Sequence, residues 1–344
     1  FKLMVCTGIM LLLAGAANAQ EGFINVFAGG GPNNVSATSA PAYQPTNIAL
    51  DSSGNVYFTS GYGNFHRVWK ITKSTGVLSV VAGSYSSGYG GDGGLAVNAE
   101  LYNPLGVAVD HAGNIFFADY YNCIVRKVTV STGIITTVAG TTNTTATPPT
   151  STCGSGTGSA IGNGGKATLA KLYYPTGVAV DKNGNLFIAD YDNYQIRMVA
   201  CATVTSTGAT CTPNSGKTTG DIYTVAGDGT SGYNSDGIAA TSAELYGPYG
   251  VTTDNAGNLY IADYYNQRVR RVACGTGISS CTAPAGETTG NIYTVAGTGT
   301  AGYNGDGITA TTAELYYPTT VSVDNEGNLF IADSYNQRIR EVSC

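Results

Sequence analysis

Charge is what this sequence has least of. Lys, Arg, Asp and Glu make up 11% of its 344 residues, well under the roughly one quarter usual in soluble proteins. No block of Lys or Arg occurs anywhere, and a nucleic-acid groove needs concentrated positive charge, so no nucleic acid is expected as a partner. Histidine is limited to two residues, which removes the convergent ligands of a zinc site and most nucleophile–base pairs. After the first twenty residues no apolar run could span a membrane, and no P-loop or dinucleotide fingerprint opens a helix.

What is present is glycine, with 48 residues, and tyrosine, with 24, among abundant Thr and Val. Helix-forming Lys and Glu are scarce, so the composition describes a turn-rich, all-β protein. The net charge is −6. The opening stretch FKLMVCTGIMLLLAGAANAQ combines one Lys, an apolar run and a small-residue site at Ala17-Asn18-Ala19. That is the pattern of a secretory signal over residues 1–19, cleaved before Gln20. Because the first residue is Phe rather than Met, the N-terminus is expected to be clipped.

Self-comparison organises the rest. Pro45-TNIALDSSGNVYFTS is echoed by Pro104-LGVAVDHAGNIFFAD, Pro175-TGVAVDKNGNLFIAD, Pro248-YGVTTDNAGNLYIAD and Pro318-TTVSVDNEGNLFIAD. Each is followed by a third segment (HRVWKI, IVRKV, QIRMV, RVRRV, RIREV) and, in four units, by a fourth (VLSVVAG, IITTVAG, DIYTVAG, NIYTVAG). The units are therefore four short strands separated by Gly/Asn turns, with repeats at about 45–83, 104–140, 175–227, 248–297 and 318–344. NLFIAD is apolar on both faces, so its sheet must be covered on both sides. Small residues in GVAV suit a strand crowded around an axis. Asp-x-x-Gly-Asn supplies the hairpin turn. Four-stranded sheets packed radially make a β-propeller.

The pattern P-x-G-V-A-V-D-x-x-G-N-L-[FY]-I-A-D-x-x-N-x-R-[IV]-R resembles the NHL repeat over all five units, about residues 23–344. The first unit departs most, with Thr59-Ser60 in place of Ala-Asp and Trp69 in place of Arg. The resemblance implies a propeller that usually has six blades, where five are visible. Either the chain is clipped after Cys344 and a sixth blade is absent, or FINVFAG (residues 23–29) supplies the outer strand of the last blade in a closed five-bladed ring.

With a secretory signal, the cysteines read as disulfides. Cys201 and Cys211, and Cys274 and Cys281, would staple hairpins between third and fourth strands on one face. Cys123 and Cys153 lie toward the opposite face, where a bond would tether the insertion TTNTTATPPTSTCGSGTGSA. Asp119, Asp190, Asp263 and Asp333 each precede, by seven residues, Arg126, Arg197, Arg270 and Arg340. These read as structural Asp–Arg contacts, with the Arg holding the carboxylate ionised. GYGGDG, GYNSDG and GYNGDG put Asp92, Asp236 and Asp306 twelve residues before a repeat's Pro, and the same offset gives Asn33 and Asn163. They read as crossover turns closed by a local side-chain-to-backbone bond, followed by an Ala-x-x-Ala-x-Leu helical turn. His111 and His66 lack partners and read as surface or packing residues.

Crossovers and second-to-third-strand turns share a face rich in tyrosine: Tyr102, Tyr173, Tyr174, Tyr246, Tyr316 and Tyr317 from the former, Tyr120, Tyr121, Tyr191, Tyr264, Tyr265 and Tyr335 from the latter. Asn122, Asn193, Asn266 and Asn336 accompany them. Tyrosine joins a flat apolar ring to a polar tip at low entropy cost, which suits protein or glycan recognition. The expectation is a secreted, periplasmic or cell-surface NHL-type propeller over residues 20–344 that binds a protein or carbohydrate, without catalytic residues or a cofactor. One alternative is a propeller lyase or hydrolase using Ca²⁺ on the axis, a cation the Asp turns could bind weakly. Another is a structural surface module with no small ligand.

Overall fold

The computed structural model describes residues 45–61, 65–143, 150–151, 153–154, 161–203, 211, 213, 216–277 and 281–343. The leader, FINVFAG, Asn33 and Cys344 lie outside the described residues. The five repeats fold as five antiparallel blades around an axis. The first comprises β1 (Pro45–Leu50), β2 (Val56–Ser60), β3 (Arg67–Thr72) and β4 (Val77–Ala82). The second comprises β5 (Pro104–Val109), β6 (Ile115–Asp119), β7 (Ile124–Thr129) and β8 (Ile134–Ala139), followed by the small pair β9 (Thr142–Asn143) and β10 (Thr150–Ser151). In the third, β11 (Gly165–Lys166) adds to the outer edge of β12 (Pro175–Val180), β13 (Leu186–Asp190), β14 (Gln195–Val199) and β15 (Asp221–Ala226). In the fourth, β16 (Ile238–Ala239) does the same for β17 (Pro248–Thr253), β18 (Leu259–Asp263), β19 (Arg268–Val272) and β20 (Asn291–Ala296). The last has β21 (Pro318–Val323), β22 (Leu329–Asp333) and β23 (Arg338–Val342).

First strands stand side by side near the axis, close enough to dictate residue type. A Cβ on Gly106 would sit 2.4 Å from the Thr176 carbonyl oxygen, and one on Gly177 2.6 Å from that of Tyr249. The Asp-x-x-Gly-Asn turns close as expected: the Asn114 amide N–H and side-chain N–H both donate to Asp110, each at 2.8 Å. Crossovers contain the short helical turns read from Ala-x-x-Ala, at Ala96–Asn98, Ala167–Leu169, Ala240–Ser242 and Ala310–Thr312.

The core is a series of layers between blades. Between the third and fourth, Phe187, Ile196 and Ala226 meet Leu259, Ile261, Val272 and Ile292, with Ala240, Ala243 and Leu245 of the crossover filling the rim. Equivalent layers lie at the other three junctions. Among the described residues, β21 does not pack along β1 as the other first strands pack on one another, so the arc is open there. Ile48 is 65% exposed and Ile339 72%. The equivalents of Ile339 in the other blades, Val68, Val125, Ile196 and Val269, are fully buried.

Candidate binding face

Each junction from the second blade onward is knotted by one buried carboxylate. Asp119 accepts the Tyr102 backbone N–H at 2.7 Å and the Asn122 side-chain amide at 2.9 Å, and it stands 3.7 Å from Arg126. Asp190, Asp263 and Asp333 repeat the set with Tyr173, Tyr246 and Tyr316, with Asn193, Asn266 and Asn336, and with Arg197, Arg270 and Arg340 at 3.4–3.6 Å. The expected Asp–Arg contacts are therefore present. Burial nevertheless pushes the Asp119, Asp190 and Asp263 carboxyls up to about 6, against the pull of the guanidinium and the hydrogen bonds. The guanidinium still pulls each carboxyl down, as expected of an Arg that favours the ionised form, but desolvation of a fully enclosed carboxylate is the larger effect.

Two further readings change. The Asn side chains expected at the surface are buried or half-buried, and each amide also donates to a crossover carbonyl, as Asn122 does to Gly88 at 2.7 Å and Asn266 to Gly232 at 2.6 Å. They tie the turn to the crossover and offer a ligand little. Asp92 and Asp236 make no local side-chain-to-backbone bond among the described residues either, although Asp92 accepts the Tyr89 hydroxyl within its loop at 3.3 Å. Asp92 accepts from Arg126 at 2.6 Å and from the Thr137 backbone N–H at 2.9 Å. Asp236 accepts from Arg270 and the Thr294 hydroxyl, and Asp306 from Arg340 and the Tyr303 hydroxyl. The crossover acid thus clamps the third and fourth strands of the blade it enters. Asn163 keeps only the fourth-strand bond, to the Thr224 N–H, and among the described residues Arg197 Nη2 finds no acceptor.

These knots hold the tyrosines. Backbone bonds join crossover to turn, from Tyr121 N–H to Tyr102, Tyr265 N–H to Tyr246 and Tyr335 N–H to Tyr316, which places Tyr102 against Tyr121 at 4.8 Å and Tyr246 against Tyr265 at 4.6 Å between ring centroids. Stacks then bridge blades: Tyr120 on Tyr174 at 4.9 Å, Tyr264 on Tyr317 at 4.6 Å. Tyr194 and Tyr249, not singled out in the sequence, join the network beside Tyr246, Tyr191 and Tyr264. Their signal was available, since Tyr194 follows the repeated Asn and Tyr249 follows the repeated Pro. Gly247 (φ 62°) makes room, because a Cβ there would come within 2.8 Å of the Tyr265 ring and 3.0 Å of Tyr191. At Asp192, the equivalent of Tyr121 and Tyr265, the ring series is interrupted. Burial, with hydrogen bonds between rings, raises the Tyr191 and Tyr264 hydroxyls well above the usual range, so they remain protonated donors. Tyr102, Tyr121, Tyr246, Tyr265 and Tyr335 are exposed; Tyr120, Tyr173, Tyr174, Tyr191, Tyr264, Tyr316 and Tyr317 are half-buried supports.

The cysteines frame this face and its opposite. Cys123 is bonded to Cys153, drawing the insertion to the tyrosine side. Cys201–Cys211 and Cys274–Cys281 lie at the other end, where the Cys201 and Cys274 N–H groups donate to Asn185 and Asn258 of the Asp-x-x-Gly-Asn turns. His66 is buried and accepts the Asn103 N–H at 3.1 Å, with burial lowering its pKa, while His111 is exposed at the far end. Among the described residues, no three His, Cys, Asp or Glu side chains converge as a metal site.

The chain is similar to known proteins in sequence and in fold. The teneurin NHL domain model matches residues 64–157 and 150–210, and the NHL repeat model residues 245–272 and 315–341. Human teneurin-1 is 28% identical over 291 residues, 77% of this chain and 9% of teneurin-1, and mouse teneurin-4 is 27% identical over 325 residues, 86% and 10% respectively. The chain thus spans about a tenth of the length of these relatives. In fold it is similar to an auxiliary nutrient binding protein from Bacteroides ovatus, with a TM-score of 0.54 and 16% identity over 87% of this chain and 59% of that one. A structural genomics protein from Bacteroides thetaiotaomicron gives 0.56 and 20% over 88% and 60%. The repeat written in the sequence and the blades it forms are those of the NHL-repeat β-propellers, the family to which this chain belongs as a homologue of teneurin NHL regions.

Proposed function

We propose that the chain is an extracellular binding module that recognises a protein or a glycan through its tyrosine-lined face and carries no reaction of its own. The observation that carries this reading is the set of five tyrosines, Tyr102, Tyr121, Tyr246, Tyr265 and Tyr335, that stay 40–58% exposed on one side. Their half-buried neighbours hold them by ring contacts, so little entropy is lost when a ligand lands on them. Exposed aromatic surface of this extent is characteristic of contact sites. Three disulfides suit an oxidising compartment, and no described helix is long and apolar enough to cross a membrane. The fold neighbour from Bacteroides ovatus is itself named as a nutrient binding protein, which favours ligand capture over a purely structural part.

A glycan array, paired with a pull-down from the native extracellular fluid, tests the proposal. Binding should appear in one of them and weaken at least about tenfold in Tyr121→Ala and Tyr265→Ala, the loss expected of anchor residues. Silence in both assays, or binding indifferent to both substitutions, overturns it.

A further inference from the structure

Asp192 stands on the tyrosine face where the second, fourth and last blades carry Tyr121, Tyr265 and Tyr335. Its backbone N–H donates to the Tyr173 carbonyl at 3.1 Å, as theirs donate to their own crossovers, so the turn is the same and only the side chain differs. Two residues on, the left-handed position (φ 54°) is Tyr194, where those blades have Cys123, Gln267 and Gln337. The Tyr194 ring meets Tyr246 of the next crossover with centroids 6.0 Å apart, and Tyr173 lies against Tyr174 at 4.8 Å. A carboxylate is thus set among phenols. Burial first, and the Asp192 charge with it, raise the Tyr194 hydroxyl, and the same charge acts on Tyr174 and Tyr191. Asp190, two residues earlier, accepts from a backbone N–H, an amide and a guanidinium. Among the described residues no hydrogen bond or ion pair reaches the half-buried Asp192 carboxylate, and burial pushes its carboxyl up.

We propose that Asp192, with Tyr174, Tyr194 and Tyr246 around it, is a cation subsite that receives an arginine side chain of a protein partner. It presupposes that the tyrosine face is the binding surface. A partly desolvated carboxylate without a donor is a cost to the fold, and an incoming cation removes that cost. Ring faces add attraction for the same charge. The chain already pairs arginine with tyrosine in this way, with Arg268 over Tyr233 and Arg338 over Tyr303, each 4.0 Å from the ring centroid. A guanidinium can stack on a ring while its N–H fork meets a carboxylate, which a compact ammonium does less well. A hard divalent ion fits poorly, because it needs six or more oxygens and no three acidic, His or Cys side chains converge among the described residues. A neutral sugar would stack on the rings and leave the carboxylate unpaired. The net charge of −6 also draws a basic partner toward the molecule.

Calorimetric titration of the full chain with amidated tetra-arginine, and with its uncharged isostere tetra-citrulline, tests the subsite. Tetra-arginine should bind and tetra-citrulline should not. Asp192→Asn should weaken tetra-arginine at least about fivefold, the size of one partly desolvated cation contact. Glu326→Gln makes the same charge change in the exposed Asp324–Asn328 turn on the opposite face and should leave binding as it was. Because no group of the fold leans on the carboxylate, Asp192→Asn should not lower Tm. No binding of tetra-arginine, equal binding of tetra-citrulline, equal weakening by both substitutions, or a fall in Tm overturns the proposal. So does tighter binding of a glucosamine tetramer, which assigns the subsite to an amino sugar. A partner captured from extracellular fluid that weakens in Tyr265→Ala but not in Asp192→Asn would keep the tyrosine face and strike the subsite alone.

Discussion

The fourth and last blades carry nearly the same residues in different surroundings. Arg270 and Arg340 each face a buried carboxylate and a crossover acid, yet Arg270 is fully enclosed and Arg340 has 9% of its side chain in solvent. Val269 is fully buried while Ile339, at the same place in the strand, is 72% exposed. The local code is equal, so what differs is the neighbour. A blade's apolar strands become a core only when another blade, or its own fourth strand, covers them, because short-range sequence cannot remove both faces of a sheet from water.

The largest difference should come from the arginines. Arg270→Ala leaves Asp263 unpaired in a dry site and should cost about 3–5 kcal/mol, with Arg340→Ala costing about half as much because water reaches its site; urea midpoints at equal slope would show this, and equal losses would break the comparison. Next are the aliphatics. Ile196→Ala should cost about 2–4 kcal/mol through lost transfer and a residual cavity, whereas Ile339→Ala should stay near about 0.5 kcal/mol, as surface changes do. A smaller effect is expected at the third blade, where Asn163→Asp would give Arg197 the acceptor that Asp92 and Asp236 give Arg126 and Arg270; it should stabilise by about 1 kcal/mol, seen as a raised thermal midpoint.

The smallest is a pH effect. With a folded pKa of about 6 against about 3.9 when unfolded, Asp263 binds more protons in the folded chain between those values. Its contribution to stability is therefore fully present below about pH 4 and is lost as pH rises through about 6. Lowering pH from 8 to 5 should raise the stability of the native chain relative to Asp263→Asn by about 1 kcal/mol, measured by denaturation of both at each pH.

Much of this was legible from short-range pattern. The blades, the Asp-x-x-Gly-Asn turns, the Ala-x-x-Ala crossovers and the Asp–Arg pairs are set by residues within about one repeat, and repetition made each signal visible at least four times over. The roles of Asp92 and Asn122 were less so. Asp92 meets Arg126 across 34 positions and Thr137 across 45, and Asn122 reaches back 34 to Gly88; no local rule distinguishes an acid that closes its own turn from one that clamps a sheet. Tyr194 and Tyr249 carry a signal in their place beside the repeated Asn and Pro, but that their rings join the face is decided by neighbours in another blade.

By itself the sequence determined the repeating unit: strand length, turn chemistry, the small residues of the first strands and the apolar faces that demand stacking. Each follows from backbone geometry and side-chain period, which act over a few residues. The tertiary structure alone decided which tyrosines stand exposed and which support them, which carboxylates are dry enough to be pushed up to about 6, and where the arc is open among the described residues. Those are properties of burial, and burial is conferred by a neighbouring blade about seventy residues away in the chain.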